Sequence, residues 1–522
     1  MEVLYGIDLG TTYSCVAYLT EVGKVESIKN SEGVLTTPSV VYFSSENAQT
    51  VGEEAKDYAI TEPEKSVSFI KREMGTDYKR KIDGKEYTPQ ELSAIILKKL
   101  VQDANNTLIE QGVLESGKEV NKVVITCPAY FGMAEKEATK AAGEIAGLEV
   151  LDIINEPTAA AIHYGQMKGD HSPKRVLVYD LGGGTFDVTI MDIKENDVDV
   201  LCTGGDAKLG GKDWDEATVK YLLEKWQEEN DSSEDITANL DTKSAMLSAA
   251  EKAKKSLSSK DKVKVNFNHD GEPFRTELTR EEFDEYTSSL LTKTIQMTDA
   301  CIDSLKSKDN SKEIDEIILV GGSSRMPQIK KKIEETYHKP VSMFDPDEAV
   351  AKGAAIYAHN VKEKTGDIPG PNGPGIRISN VSSRTYGIKC ITDDDQEMIS
   401  NIIYQNAKLP ITDEKEYSTH SDNQSGLTLD LYETTASEDI TDRKEVDRLK
   451  PVASFDMKFK TRVPKNTPLM VKMTLNNSGL LSISAVELLN NSTLDVEYKI
   501  GGGLSKLQIE EKRKQLSDST IE

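Results

Sequence analysis

The chain has 522 residues, 37% hydrophobic and 29% charged, with a formal net charge of −25 and a pI near 4.9. That length exceeds what one hydrophobic core serves, so about two to four domains are expected. The negative balance excludes a sequence-independent nucleic-acid partner and an anionic membrane surface, because phosphate binding needs a positive field.

The first strand-like run, Val3-Leu4-Tyr5-Gly6-Ile7, ends in Asp8-Leu9-Gly10-Thr11-Thr12, after which Val16 and Ala17 resume an extended segment. Met1-Glu2-Val3-Leu4 opens no signal sequence, and no run approaches the ~18 apolar residues of a membrane span, so a cytoplasmic location is expected. Thr88 and Glu91 form a capping box with Pro89 in the first turn, and Leu92, Ile95, Ile96 and Leu100 follow at helical spacing. Val123 to Thr126 reads as a short strand ended by Cys127-Pro128, and a helix from Ala134 to Ala146 follows, stopped by Gly147.

The pattern of the N-terminus returns at Val176-Leu177-Val178-Tyr179, which ends in Asp180-Leu181-Gly182-Gly183-Gly184-Thr185-Phe186-Asp187, with Val188, Ile190 and Ile193 alternating beyond the turn. One glycine loop is common. Two hairpins led by Asp-Leu-Gly suggest a duplicated α/β unit whose halves face each other across a cleft. Residues 225–310 read as charged and helical, with Met246, Ala250, Ala253 and Leu257 on one face of a helix from Ser244 to Ser258. Glu251, Lys254, Lys255 and Ser258 share another face, which the pattern alone assigns to solvent. Ile314 to Val320 is a further strand, running into Gly321-Gly322-Ser323-Ser324-Arg325 and a helix that starts near Pro327, a third anion- or ribose-contacting turn.

Gly366, Pro369, Gly370, Pro371, Gly373, Pro374 and Gly375 mark a linker. Beyond it the helical signal gives way to alternating segments at Leu427/Leu429/Leu431, Val471/Met473/Leu475 and Leu481/Ile483/Ala485, the last two joined by a turn at Asn476-Asn477-Ser478-Gly479. That is the pattern of an antiparallel β-sandwich. A short charged helix follows Ser505. Cys15, Cys127, Cys202, Cys301 and Cys390 are odd in number and lack C-x-x-C spacing, and neither they nor the six histidines suggest a disulfide framework or a zinc site.

Two glycine loops in an acidic protein suit a nucleoside triphosphate only with a divalent cation between them, and magnesium needs one or two carboxylates. Asp8 and Asp180 are the candidates, with Thr11, Thr12, Tyr13, Gly182, Gly183, Gly184 and Thr185 supplying donors to the phosphates. Periodicity does not say which lysine reaches the γ-phosphate or which group is the base, although Glu156 and Asp187 stand in suggestive contexts.

Four stretches together resemble the DnaK-type heat-shock chaperone family: Gly6 to Ser14, Ile154 to Ala161, Asp180 to Asp187 and Val320 to Pro327. Lys71-Arg72 with the short loop after it resembles the bacterial, Gram-positive form. The resemblance implies an actin-like duplicated ATPase domain at 1–362, a linker at 363–380, a peptide-binding β-sandwich at 381–503 and the start of a C-terminal helix at 504–522. It implies ATP or ADP with Mg2+ and K+ as cofactors and catalysis by Lys71, Glu156, Asp180, Asp8 and Thr185, with Asp187 at the cation sites. Gly10, Gly210, Gly211, Gly321, Gly322, Ser323, Arg325 and Asp347 join the nucleotide pocket, and the charged face at 251, 254, 255 and 258 becomes its nucleoside side. Extended apolar client segments would meet Met398, Tyr417, His420, Gln424 and Leu427.

Some residues depart from the family pattern. Lys255 stands where an arginine stacks on adenine, so weaker ATP binding is expected. Ile376 to Asn380 replaces a leucine-rich linker, Lys136 an arginine relay near the switch proline Pro128, and Asp152 a basic J-domain contact. These argue against a J-domain partner and for looser coupling, while a nucleotide-exchange factor remains compatible. The chain ends about where a helical lid begins, so faster peptide escape is expected. Two competing readings are an actin-fold small-molecule kinase, which would lack the sandwich, and a scaffold that binds ATP without cycling.

Overall fold

The computed structural model describes residues 2–168, 172–194, 197–308, 312–365, 376–392, 394–476, 480–498 and 504–522. The glycines and prolines at 366–375 and turn residues 477–479 lie outside them.

Each Asp-Leu-Gly hairpin sits at the centre of its own sheet. In the first, Tyr5–Asp8 pairs antiparallel with Tyr13–Leu19 and parallel with Lys122–Cys127, which is followed outward by Glu149–Asn155. In the second, Lys174–Leu181 pairs antiparallel with Phe186–Lys194 and parallel with Glu316–Val320, followed outward by Val341–Met343. The repeated strand order is the duplication expected from sequence. Between the sheets, the helices Glu156–Lys168 and Ala349–Thr365 share a core with Leu4, Val124, Val178 and Val320. They cross closely because Gly353 has no side chain: a Cβ there would lie 1.7 Å from the Ala159 carbonyl oxygen.

The Thr88 capping box starts the helix Pro89–Glu110, and Met133–Ile145 is the alanine-bearing helix. In Leu240–Leu257, the stripe Met246, Ala250, Ala253 and Leu257 is buried. The helical reading of 225–310 needs one correction. An antiparallel hairpin, Lys262–His269 with Glu272–Thr279, interrupts it, and alternating Val265, Phe267, Phe274 and Leu278 bury one face. The period of two was hidden among charged residues on the other face.

The C-terminal part is a sandwich of two four-stranded sheets. One runs Glu397–Ile403, Thr385–Ile391, Gln424–Thr434, Ala453–Val463; the other runs Ile411–Ser418, Pro468–Leu475, Leu481–Glu487, Ser492–Tyr498. Val471, Met473, Leu475, Leu481, Ile483 and Ala485 alternate inward as read from sequence. A short helix, Arg443–Arg448, corrects the expectation of strands alone.

A strand and a helix help tie the parts together. Arg377–Ser379 adds as a parallel strand to Asp197–Asp206. The helix Lys506–Ser517 turns back onto the first lobe, where Leu504, Ile509, Leu516 and Ile521 join the core, and Thr520–Ile521 pairs with Ala48–Val51. No helix among the described residues is long and apolar enough to cross a membrane.

Candidate active site

The two hairpin turns are pressed against each other. A Cβ on Gly183 would fall 1.6 Å from Thr12 Oγ1, and one on Gly184 would fall 2.2 Å from Thr11 Cγ2. The other glycines close the same space: Gly210 backs onto Gly184, Gly211 faces Ser323 Oγ and Lys254 Nζ, and Gly322 faces Asp347. Gly321, at φ 81°, sits in the left-handed region directly against Asp180 Oδ1. Four sequence motifs far apart in the chain therefore meet at one point.

Buried carboxyls collect there. Asp8 Oδ1 accepts from Thr126 Oγ1 at 3.1 Å, and Asp187 Oδ1 accepts from the backbone N–H groups of Ala129 at 2.8 Å and Tyr130 at 3.3 Å. Lys71, brought in by a 3-10 turn at Ile70–Glu73, donates to Glu156 at the start of its helix. Burial, with Glu156 adding repulsion, pushes the Asp8 carboxyl up to about 7 and those of Asp180 and Asp187 well above the usual carboxylate range. Burial works to lower the Lys71 ammonium, but Glu156 and Asp8 more than offset it and hold it charged.

One lysine does not balance these carboxyls. Thr11 Oγ1, Thr12 Oγ1 and Asp187 Oδ2 are buried with no hydrogen-bond partner among the described residues. Buried polar atoms are ordinarily satisfied. The donor set fits a phosphate chain, and the surplus of carboxylate oxygen fits a hard cation.

At the mouth of the cleft, Glu251 pairs with Lys56 at 2.6 Å and Lys255 at 2.8 Å, and both lysines donate to the Tyr13 hydroxyl at 2.6 and 2.7 Å. The Tyr13 hydroxyl thus sits within this charged group at the mouth of the cleft. Lys254 is buried against Asp215 at 2.8 Å, Ser258 donates to the Lys254 carbonyl, and Arg325 pairs with Asp347 at 2.5 Å. Gly10 N–H bonds Ser14 Oγ, Gly182 N–H bonds the Thr185 carbonyl, and Arg72 bridges the Gly184 carbonyl to Asp213.

In the sandwich, Tyr417 and Leu427 border the common core, and the Tyr417 hydroxyl lies 3.1 Å from Ser400 Oγ. Met398 shares a strand face with Ser400, two residues on. His420 sits 3.3 Å from Asp395, and Gln424 donates to the Gly426 carbonyl.

The family model described as Hsp70 protein matches residues 4–521. The chaperone protein DnaK of Thermotoga petrophila is 38% identical over 532 residues, covering 99% of this chain and 83% of that protein. DnaK of Thermosipho africanus is also 38% identical, covering 100% of this chain and 82% of its own length. The chain belongs to the Hsp70 family. It is accordingly an ATP-hydrolysing molecular chaperone, with an actin-like ATPase domain, a β-sandwich and a nucleotide-binding cleft.

In this Hsp70 several partners had no signature in the sequence. Lys56, Thr126, Asp213 and Asp215 reach the cleft from unremarkable charged or strand positions, and only the folded geometry selects them. The divergent linker is docked in register, Asp197 opposite Arg377 and Asp199 opposite Ser379, with Ile376 and Ile378 against the central core. Asp152 accepts from the Tyr357 hydroxyl at 2.8 Å.

Proposed function

We propose that this chaperone hydrolyses ATP between the two hairpins and uses the cycle to grip and release extended apolar segments of client proteins in the β-sandwich. The observation that carries the reading is the convergence of Asp8, Lys71, Glu156, Asp180 and Asp187 around unpartnered Thr11 and Thr12 hydroxyls. Lys71, kept charged by Glu156, orients the attacking water and stabilises negative charge as it moves to the leaving oxygen. The backbone of Gly10 to Thr12 and Gly182 to Thr185 cradles the phosphates, with the Thr185 hydroxyl beside them. Asp8 and Asp180 hold magnesium, which when bound neutralises phosphate charge. Asp187, with Oδ2 free of protein partners, faces a K+ site. Glu251, Lys254, Lys255 and Ser258 flank the nucleoside, together with Gly210, Gly211, Gly321, Gly322, Ser323, Arg325 and Asp347.

The ATPase domain spans 1–362, and the linker to 380 ends in the strand docked on the second lobe. The sandwich extends to 503, and its Met398, Tyr417, His420, Gln424 and Leu427 contact the client. Cytoplasmic residence suits the five cysteines, none of them joined in a disulfide among the described residues. An exchange factor fits a cleft closed by ion pairs, and Asp152 disfavours a basic-to-acidic J-domain contact.

The test is ATP turnover with and without an apolar peptide. Wild type is expected to turn over and to be stimulated by peptide, and Lys71→Ala to lose turnover while retaining ATP binding. Unchanged hydrolysis in Lys71→Ala would sink the catalytic assignment, and turnover without stimulation would sink the coupling.

A further inference from the structure

The nucleotide site reaches the β-sandwich by a second route besides the docked linker strand. The segment Pro128–Gly132 begins at Asp187, whose Oδ1 holds the Ala129 and Tyr130 amides. Its far end is gripped by the sandwich: Ser383 Oγ donates to the Phe131 carbonyl at 3.0 Å. Gly132 then caps the helix Met133–Ile145 without any side-chain hydrogen bond of its own. The carboxylate of Glu433, from the sandwich strand Gln424–Thr434, lies so near that a Cβ on Gly132 would come within 2.3 Å of Glu433 Oε1. An acid at a helix start is placed with the helix dipole. Next to it Met133 is buried in the sandwich core with Tyr386 and Leu431.

Arg384 supplies the cation. Its Nε lies 3.2 Å from Glu433 Oε1, and its Nη2 lies 3.8 Å from Glu135 Oε1 on the helix. Two carboxylates from different domains thus share one guanidinium, with side chains only 13% to 23% exposed. Without the arginine, two acids would face each other in a half-dry interface, an arrangement far costlier than an open one.

We infer that Arg384 is a positioning residue: by neutralising Glu433 and Glu135 it lets the β-sandwich dock on the start of the helix Met133–Ile145 and so holds the segment that grips Asp187. The inference rests on the reading of Asp187 as part of the nucleotide site, and it names a contact through which that site and the client domain are linked. Interfaces between domains of one chain open and close by default unless they are large and apolar. Arg384 offsets the cost of burying the two acids here, so docking suffers when Glu433 is left charged without it.

The experiment uses the full chain, the variants Arg384→Met, Glu433→Gln and their combination, and two readouts. Amide hydrogen exchange at 129–132 and 383–386 reports docking without any hydrolysis. Release of a labelled apolar peptide on ATP addition reports transmission. Arg384→Met keeps volume but strands Glu433 beside Glu135, so exchange is expected to rise at least tenfold, equivalent to about 1.4 kcal/mol, and ATP-triggered release to slow towards the nucleotide-free rate. Glu433→Gln alone should stay near wild type. Added to Arg384→Met, it should restore exchange and release to within about threefold, because removing the acid removes the need for the cation. A merely structural arginine would not be rescued by that second change. Wild-type exchange or release in Arg384→Met, or failure of Glu433→Gln to rescue it, overturns the inference. Since exchange needs no catalysis, failure of the Lys71 assignment leaves this result readable.

Discussion

Two places in the molecule bury several carboxylates around one cation, and they are built differently. In the cleft, Asp8, Asp180, Asp187 and Glu156 surround Lys71, and Asp187 Oδ2 and two threonine hydroxyls have no hydrogen-bond partner among the described residues. At the domain interface, Glu135 and Glu433 flank Arg384. The first cluster is incomplete by itself and asks for a ligand that brings both phosphate oxygens and a cation. The second is complete only when the two domains meet. Surplus charge marks chemistry, and shared charge marks assembly.

The sharpest way to break this distinction is at Lys71. Lys71→Ala is expected to lower single-turnover hydrolysis at least a hundredfold, with nucleotide affinity little changed, as measured with radiolabelled ATP and by calorimetry. Chelation of magnesium should abolish turnover as fully. If either treatment leaves hydrolysis intact, the cleft is not an incomplete site. Next in size is Gly183→Ala, whose methyl group would have to displace Thr12. Overpacking of that kind costs about 1–3 kcal/mol, so ATP should bind about fivefold or more weakly, and wild-type affinity by calorimetry would show that the loops do not close on the phosphates.

Legibility in the sequence followed the same line. The hairpins at Asp8 and Asp180 were readable because glycines in a turn leave a local mark, and the duplicated strand order followed from them. Lys56, Asp215 and Arg384 were not readable, since a charge whose partner lies far along the chain looks like any solvated charge. The hairpin at 262–279 was missed for a related reason, its buried residues being spaced among lysines and glutamates. The docked strand Arg377–Ser379 pairs through its backbone, so loss of leucines from that stretch did not prevent pairing.

The interface is expected to respond to protons. Burial, opposed by Arg384 and reinforced by Glu135, pushes the Glu433 carboxyl up to about 7. Glu135 and Lys136 face it from the helix, and Arg384 and Tyr386 from the sandwich. A pKa raised in the docked state means docking is strongest below the free carboxyl's value and is lost as pH rises through about 7. Exchange at 383–386 should therefore be about tenfold faster at pH 8 than at pH 6 after correction for intrinsic rates, worth about 1.4 kcal/mol. Glu433→Gln should flatten the profile, and a slope that persists in that variant would assign it to another group.

The smallest expected effect tests the comparison at a place that mixes its two sides. Glu251 lies in the cleft, yet Lys56 and Lys255 balance it, and together they hold its carboxyl down at about 2 against the effect of burial. By the rule above it belongs to assembly: Lys56, on the helix Glu53–Thr61 of the first lobe, ties shut the mouth against Leu240–Leu257 of the second. Lys56→Met leaves Lys255 in place, so only part of the tie is lost, about 0.5 kcal/mol for a partly exposed pair. Release of fluorescent ADP in stopped flow should quicken by two- to threefold with kcat unaltered, and more so at low salt, where the pair is less screened. A fall in kcat at unchanged release would place Lys56 among the groups that act on the phosphates, and charge balance would then no longer separate the residues that close the cleft from those that react in it.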